Sequence, residues 1–348
     1  MSYTNGLDKP TDYFNTKLYT GNYNTNAITG VGFQPDWVWI KERSSSSDHS
    51  LHDSIRGSTK IIKSSTNDAE ITRTGSITSF DSDGFTLGQN NGVNENSQTY
   101  VSWNWLAGGT ASSNTDGSIT SSVSANTTAG FSIVSWTGTE ASATVGHGLG
   151  VTPDVMIFKN RVDAVDWIVY HSALDSSPED YFLRLNETNA KGVSSTTFDA
   201  TAPTSTVFSV GNNSNTNGSS DGMIAYCFAE KKGFSKFGSY TGNGNVDGTF
   251  VYTGFKPAFV IIKRTDTTSE WHMIDNKRNT FNTVNKVLSP NTSGVEVTTG
   301  SNPIDFLSNS FKCRGSGTQV NASGGTYIYM CFSENPFVTS TGIPTTAR

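Results

Sequence analysis

Apolar residues along this chain cluster in short, nearly unbroken runs, and three of those runs are close copies of one another. They read WVWIK at 37–41, VMIFK at 155–159 and FVIIK at 259–263. Each is rich in β-branched and aromatic residues, follows a proline (Pro35, Pro153 or Pro257) and ends on a lysine. A run apolar at successive positions and bounded in this way predicts a central strand buried on both faces. Shorter stretches flank them: FSIVSW at 131–136, WIVYH at 167–171, YFLRL at 181–185 and WHMID at 271–275. Their alternation of apolar and polar positions predicts half-buried strands. Turn residues recur about every 8 to 12 positions, and no helical period is sustained beyond a turn at 51–56.

The copying extends well beyond the strands. LYTGN at 18–22 precedes the first run, SWTGT at 135–139 the second and SYTGN at 239–243 the third. Each unit closes on a polar turn and an aromatic strand: FDSDGFTLG (80–88) with YVSWNWLAGG (100–109), TSTVFSVG (204–211) with MIAYCFAEKKG (223–233), and FLSNSFKC (306–313) with YIYMCFSENPF (327–337). The prolines and the lysines both recur at intervals of 118 and 104 residues. Trp105, Phe228 and Phe332 then share one position, which an aromatic retained three times marks as core. Units of roughly 100 residues can bury a core of their own, whereas solenoid repeats run at about 20 to 50.

The expected fold is all-β: three tandem antiparallel β-sandwich domains in line, jelly-roll or lectin-like, each of roughly seven to ten strands. Its parts are an N-terminal arm at 1–16, repeats at 17–109, 130–233 and 234–337, and a C-terminal tail at 338–348. The stretch 110–129, rich in Gly, Ser, Thr and Asn, reads as a linker or surface hairpin. The second and third repeats run on with hardly a break and should abut.

Charged residues make up 16% and hydrophobic ones 34% of the chain, which fits a turn-rich β protein with a neutral surface. A formal net charge of -6 with no Lys/Arg cluster argues against a nucleic-acid partner. No apolar run approaches the ~18 residues of a membrane span. MSYTNGLDKPTDYF at 1–14 has neither the basic nor the apolar region of a secretory signal. A protein made in the cytoplasm with an extracellular-looking surface is accounted for by release inside an assembled particle. Cys227, Cys313 and Cys331 lack metal-type spacing and lie in apolar strands, so they read as buried free thiols, although a disulfide between Cys313 and Cys331 is conceivable.

Few residues suggest chemistry. Asp81 and Asp83 have the spacing of a calcium-loop start, yet the matching stretches of the other repeats lack paired carboxylates, so FDSDG reads as a β-turn. His49, His52, His147, His171 and His272 form no set with a nucleophile elbow and read as structural. Asp53 with Arg56, and Asp275 with Arg278, have equal spacing in the first and third repeats and read as pairs bracing a loop, with a ligand-reading arginine as the alternative. Trp136, Trp167 and Trp271 are the rings least secured as core. They are the candidate glycan contacts, because sugar rings stack on exposed aromatic faces. A glycan depolymerase would need a carboxylate pair in one cleft, and none is identifiable. No catalytic residue, cofactor or metal site is assigned.

Several long motifs resemble a group of proteins abundant in marine bacteriophage genomes. They are YFNTKLYTGN (13–22), GVGFQPDWVWIKER (30–43), FDSDGFTLG (80–88), the 108–138 junction GGTASSNTDGSITSSVSANTTAGFSIVSWTG, FGSYTGNGNVDGTFVYTGFKPAFVIIKRT (237–265) and the terminal PTTAR. The resemblance covers essentially the whole chain. It implies a virion-associated structural protein without established catalytic residues. The expected role is a tail fibre or appendage for host attachment, made in the host cytoplasm and released with the virion. Expected partners are further copies of itself, with a trimer favoured by fibre symmetry, other virion proteins and a host-surface glycan. The alternatives are a capsid decoration or cement protein and a lectin-like glycan-binding module.

Overall fold

The structure, a computed structural model, describes residues 6–345. Residues 1–5 of the expected arm and 346–348 of the expected tail lie outside them. The chain is all-β and assembled from antiparallel sheets, and its three α-helices among the described residues are single turns of four residues.

The Pro-led runs form the strands Trp37–Glu42, Val155–Asn160 and Phe255–Arg264. Each is set in the same strand order: opening, closing, Pro-led, third. The opening strands are Phe14–Thr20, Phe131–Thr137 and Ser235–Thr241, and the closing strands Thr99–Trp105, Gly222–Phe228 and Thr326–Pro336. Ser50–Asp53, Ile168–His171 and Trp271–Asp275 come third. In the second repeat this sheet is wider, because Ser112–Asn114 and Ser121–Asn126 extend its opening edge and Tyr181–Arg184 and Gly192–Val193 the opposite one. Much of the 110–129 stretch is thus a hairpin paired into a sheet.

Both faces of each main sheet are apolar, and each face finds a different cover. Val38 and Ile40, Met156 and Phe158, and Val260 and Ile262 pack on a smaller sheet of their own repeat. Trp37 and Trp39, Val155 and Ile157, and Phe259 and Ile261 point the other way, into one hydrophobic cluster to which all three repeats contribute. Trp105, Phe228 and Phe332 meet within it as a triangle of rings with centroids 6.4, 5.8 and 5.8 Å apart. The repeats therefore surround a pseudo-threefold axis, where the sequence suggested a line of separate sandwiches. Burial of a second apolar face is the physical reason, since each aromatic or branched side chain withdrawn from water contributes about 1.5–3 kcal/mol. The same packing buries the third strands at every position, not at alternate ones.

The chain ends join this arrangement. Leu7 and Phe14 belong to the shared cluster, and Pro10 is buried, so the described part of the expected N-terminal arm is a core element. The backbone N–H and hydroxyl of Ser340 donate to the Asp8 carboxylate, which ties the tail to the start of the described chain.

Candidate functional site

Equivalent positions build the three junctions cyclically: the second repeat reaches the first, the third the second, and the first the third. The N–H groups of Glu70, Lys191 and Glu296 donate to the carbonyls of Arg161, Thr265 and Arg43 at 2.9–3.0 Å. At two of the junctions this contact is doubled by a forked ion pair: Arg161 holds Glu70 through two bonds of 2.9 Å, and Arg43 holds Glu296 at 2.8 and 2.9 Å. The repeated lysine ends the core-facing row of each Pro-led strand. Lys159 donates to the carbonyls of Asn67 at 3.0 Å and Val165 at 2.7 Å, Lys263 to that of Thr188 at 2.8 Å, and Lys41 to that of Glu42 at 2.6 Å. Burial pulls all three ammonium groups from 10.5 down to about 8.

The candidate glycan rings lie in these interiors. Trp167 and Trp271 are 0% and 2% exposed, and their indole N–H groups donate across the junctions to the carbonyls of Lys63 at 2.8 Å and Arg184 at 2.9 Å. Strand register gives His49 the same position in the first repeat, where its Nε2 meets the Ser289 carbonyl at 3.0 Å. Trp136 is 4% exposed and packs edge-on against Phe208 and Phe158 inside the second repeat. None of the three offers a face to a sugar, because each ring fills space between sheets or repeats.

The other candidates are also structural in their contacts. Asp83 accepts from the N–H groups of Gly30 at 2.9 Å and Gly32 at 2.7 Å, bonds that hold its carboxyl below the usual range. Asp81 accepts from the Thr86 hydroxyl at 2.6 Å. The Asp–Arg pairs are fully buried: Arg56 Nε lies 2.5 Å from Asp53 Oδ2, and Arg278 Nε 2.6 Å from Asp275 Oδ2. His171 occupies the matching place in the second repeat. It accepts from the Ala173 N–H at Nδ1 and donates from Nε2 to the Tyr329 carbonyl, both at 3.1 Å, which fixes a neutral tautomer. All three cysteines are buried and free. Among the described residues no group of three or more His, Cys, Asp and Glu side chains is placed to hold a metal ion.

One shared set escapes the sequence reading. Asn94, Asn217 and Asn321 are fully buried, each in a four-residue helix. Their side-chain amides donate to Asn24 O at 2.7 Å, Ala141 O at 2.8 Å and Asn245 O at 2.8 Å. Their carbonyls accept from the N–H groups of Asn22, Thr139 and Asn243 at 3.0 Å. The glycine of each TG dipeptide lies against the same turn: a Cβ on Gly138 would sit 2.1 Å from the Gly218 carbonyl oxygen. A fixed offset of six residues from Tyr100, Met223 and Tyr327 is the signal that identifies the three asparagines.

The repeats diverge on their outward faces. The residues opposite Phe85, Phe208 and Phe311 are Ile28, Val145 and Val251. Around them stand Ala27 and Thr29 in the first repeat, Thr144 and Gly146 in the second, and Phe250 and Tyr252 in the third. Phe250 and Tyr252 are 52% and 61% exposed. The loop that follows the third strand also differs, being four residues longer from Asp275 to Leu288 than from Asp53 to Ile62. It carries Phe281, which is 76% exposed. Asn282 fastens this loop to the strand Ile304–Leu307, donating to the Phe306 carbonyl and accepting from its N–H at 2.9 Å each. Asn279 closes the loop base by accepting from the N–H groups of Asn285 at 3.1 Å and Lys286 at 2.7 Å. A pocket of about 580 Å³ lies against it, walled by Asn276, Lys277, Phe281, Phe306, Leu307 and Asn335 among others. Lys277 also lines an adjoining cavity of about 320 Å³ with Lys17, and its side chain forms no ion pair among the described residues.

Comparison with known protein families finds a match over residues 9–336 to a model described as Domain of unknown function (DUF7483), which thus spans all three repeats. None of the curated proteins matches the chain.

Proposed function

The chain belongs to the DUF7483 family, and we propose that it is a structural protein of a bacteriophage particle, tail-associated, which presents the outward face of its third repeat to the host surface. We read each repeat as a two-sheet sandwich of about 100 residues, and the three as one closed body. The observation that carries the proposal is the division of labour between shared and divergent residues. Positions common to the repeats, such as the lysines, the Asn set and the core aromatics, are engaged in junctions and cores. The divergent positions put Phe250, Tyr252 and Phe281 in solvent on a single repeat. Such a plan suits a rigid display scaffold, and the likeness to marine phage proteins supplies the particle.

The reading is non-catalytic, since the shared lysines are engaged with backbone carbonyls, Lys159 and Lys263 across junctions and Lys41 within its own repeat. Self-association, a trimer included, stays part of the proposal. Lateral faces that three fibre subunits would bury against one another are occupied here between repeats of one chain, so further self-association is assigned to outward surfaces. Immunogold labelling of intact particles, with copy number from quantitative mass spectrometry, tests the location. Tens of copies at the tail are expected. Hundreds of copies on the head would favour capsid decoration, and absence from purified particles would overturn the virion assignment.

A further inference from the structure

We propose that the pocket of the third repeat binds an acidic saccharide, one sugar ring stacking on Phe281 and a carboxylate pairing with Lys277. Three independent features converge on it. First, the loop that carries the aromatic differs between the repeats: it is four residues longer from Asp275 to Leu288 than from Asp53 to Ile62, and the second repeat's loop after His171, similar in length, reads SALDSSPED at 172–180 with no aromatic to match Phe281. Second, the aromatic is held out deliberately. An exposed phenylalanine ordinarily turns inward or lies on its own surface, but Asn282 pins the adjacent position to Phe306 by two hydrogen bonds, so Phe281 stays in solvent at the pocket edge. A fixed apolar ring beside amide and hydroxyl groups suits a ligand that is apolar on its ring faces and polar on its rim. Third, Lys277 stands between the pocket and the adjoining cavity and forms no ion pair with a carboxylate among the described residues, whereas the neighbouring Lys256 is neutralised by Glu334 at 2.5 Å. Among the described residues, that leaves the Lys277 ammonium without an ion pair at the junction of the two spaces, with Lys17 adding positive charge in the adjoining cavity.

The footprint extends past a single sugar. Tyr252 lies opposite Ser310, and Ser310 opposite Leu307, which lines the pocket. Two strand spacings, roughly 10 Å, therefore separate the Tyr252 position from the pocket wall. A chain of two or three sugars spans that distance, and the exposed Tyr252 ring provides a second platform.

This inference deepens the attachment reading but is tested without the particle. Titration calorimetry of the full chain would use tetramers of a polyuronate and of neutral dextran. Binding to the uronate is expected, weakened at least tenfold by Phe281→Ala and by Lys277→Gln, weakened by salt, and absent for dextran. Phe281→Leu, which keeps an apolar side chain but removes the flat ring, should resemble Phe281→Ala, and unchanged thermal melts would confirm that the variants fold. Lack of uronate binding, equal binding of dextran, or binding indifferent to all three substitutions would overturn the site. Loss of tail labelling would bear on the location alone.

Discussion

The phenol of Tyr226 donates to Oδ2 of Asp53 at 2.7 Å, joining the second repeat to the first across 173 residues of sequence. The relationship repeats round the axis: Trp103 Nε1 of the first repeat donates to Asp275 Oδ2 of the third at 3.1 Å, and His171 Nε2 of the second donates to the Tyr329 carbonyl of the third at 3.1 Å. Each repeat thus completes a polar site that begins on its neighbour, next to an apolar cluster that none encloses alone.

One cooperative unit is the expected consequence. Calorimetry of the whole chain should give a single unfolding transition, because opening any repeat exposes the shared rings of the other two. The isolated segment 130–233 should lack dispersed amide resonances, since Phe131, Trp167 and Phe228 lose their cover from outside the segment. Phe228→Ala in the full chain should cost about 3–5 kcal/mol in urea denaturation, as for other large aromatic truncations in cores. Three separate transitions, or a well-folded middle repeat, would contradict a shared core.

Glu70 is the residue on which the first junction turns. It takes both bonds of the Arg161 fork and also faces the fully buried Arg56 at 3.2 Å. Those positive neighbours hold its carboxyl below the usual range despite burial, which acts in the opposite sense. Glu70→Ala removes both bonds of the Arg161 fork and leaves Asp53 as the carboxylate on Arg56, beside the Leu51 carbonyl and the Tyr226 hydroxyl, and should lose about 2–3 kcal/mol, below the ~3–5 kcal/mol for stranding a buried charge outright. The junction between the second and third repeats carries Lys191 and Thr265 at the matching places, so Lys191→Ala should cost under about 1 kcal/mol. Urea midpoints of the two variants measure the contrast.

Much of this scaffold was legible in the sequence, and the unread part has a common cause. The Pro-led runs read as strands buried on both faces, and the alignment of Trp105, Phe228 and Phe332 marks each ring as core, although nothing in it says that the three meet one another. A sequence that is apolar on both faces of a strand does not say whose residues cover the second face. Shared and private cores produce the same pattern. Trp167 and Trp271 were misread for that reason: each is bordered by a charge, like a surface ring, yet its indole serves as a donor to the next repeat. His49 does the same work from the same register position, an equivalence of N–H donors that residue type alone hides. Phe250, Val251 and Tyr252 are three successive apolar residues, a pattern that does not say which face meets solvent.

The Asn set gives a prediction about local geometry. Asn217→Ala removes the donor to the Ala141 carbonyl and the acceptor for the Thr139 N–H, leaving buried backbone groups unpaired. A loss of about 2–4 kcal/mol is expected from two or more such groups. Gly138→Ala should be at least as costly, because the new Cβ would lie 2.1 Å from the Gly218 carbonyl oxygen and only backbone can yield. Asn217→Asp keeps the acceptor but turns a carboxylate oxygen toward the Ala141 and Gly211 carbonyls in a fully buried site, so at neutral pH it should cost at least as much as Asn217→Ala. Thermal denaturation of the three variants orders them.

Acid should unfold the protein through its histidines before its carboxylates. His171 and His147 each accept an N–H at Nδ1 and donate at Nε2, whereas His52 donates from Nδ1 to the Ser58 carbonyl. A second proton on His171 or His147 would point N–H at N–H, and burial opposes the charge as well. Burial lowers His52 from 6.5 to about 3 and His171 from 6.5 to about 4. In the unfolded chain both groups bind protons below 6.5, while in the folded chain they do not until near 3 or 4. Their contribution is therefore complete above pH 6.5 and declines as pH falls, by about 2 kcal/mol for each imidazole at pH 5. Glu70 and Glu296, whose folded values lie below 4.5, add their own losses only at lower pH. Urea midpoints should thus fall steeply between pH 7 and 5. His171→Gln, whose amide can both accept the Ala173 N–H and donate to a carbonyl, should flatten that slope by about one proton's worth. A midpoint constant from pH 7 to 5, or a slope unchanged in His171→Gln, would mean that these imidazoles are protonated in the folded protein.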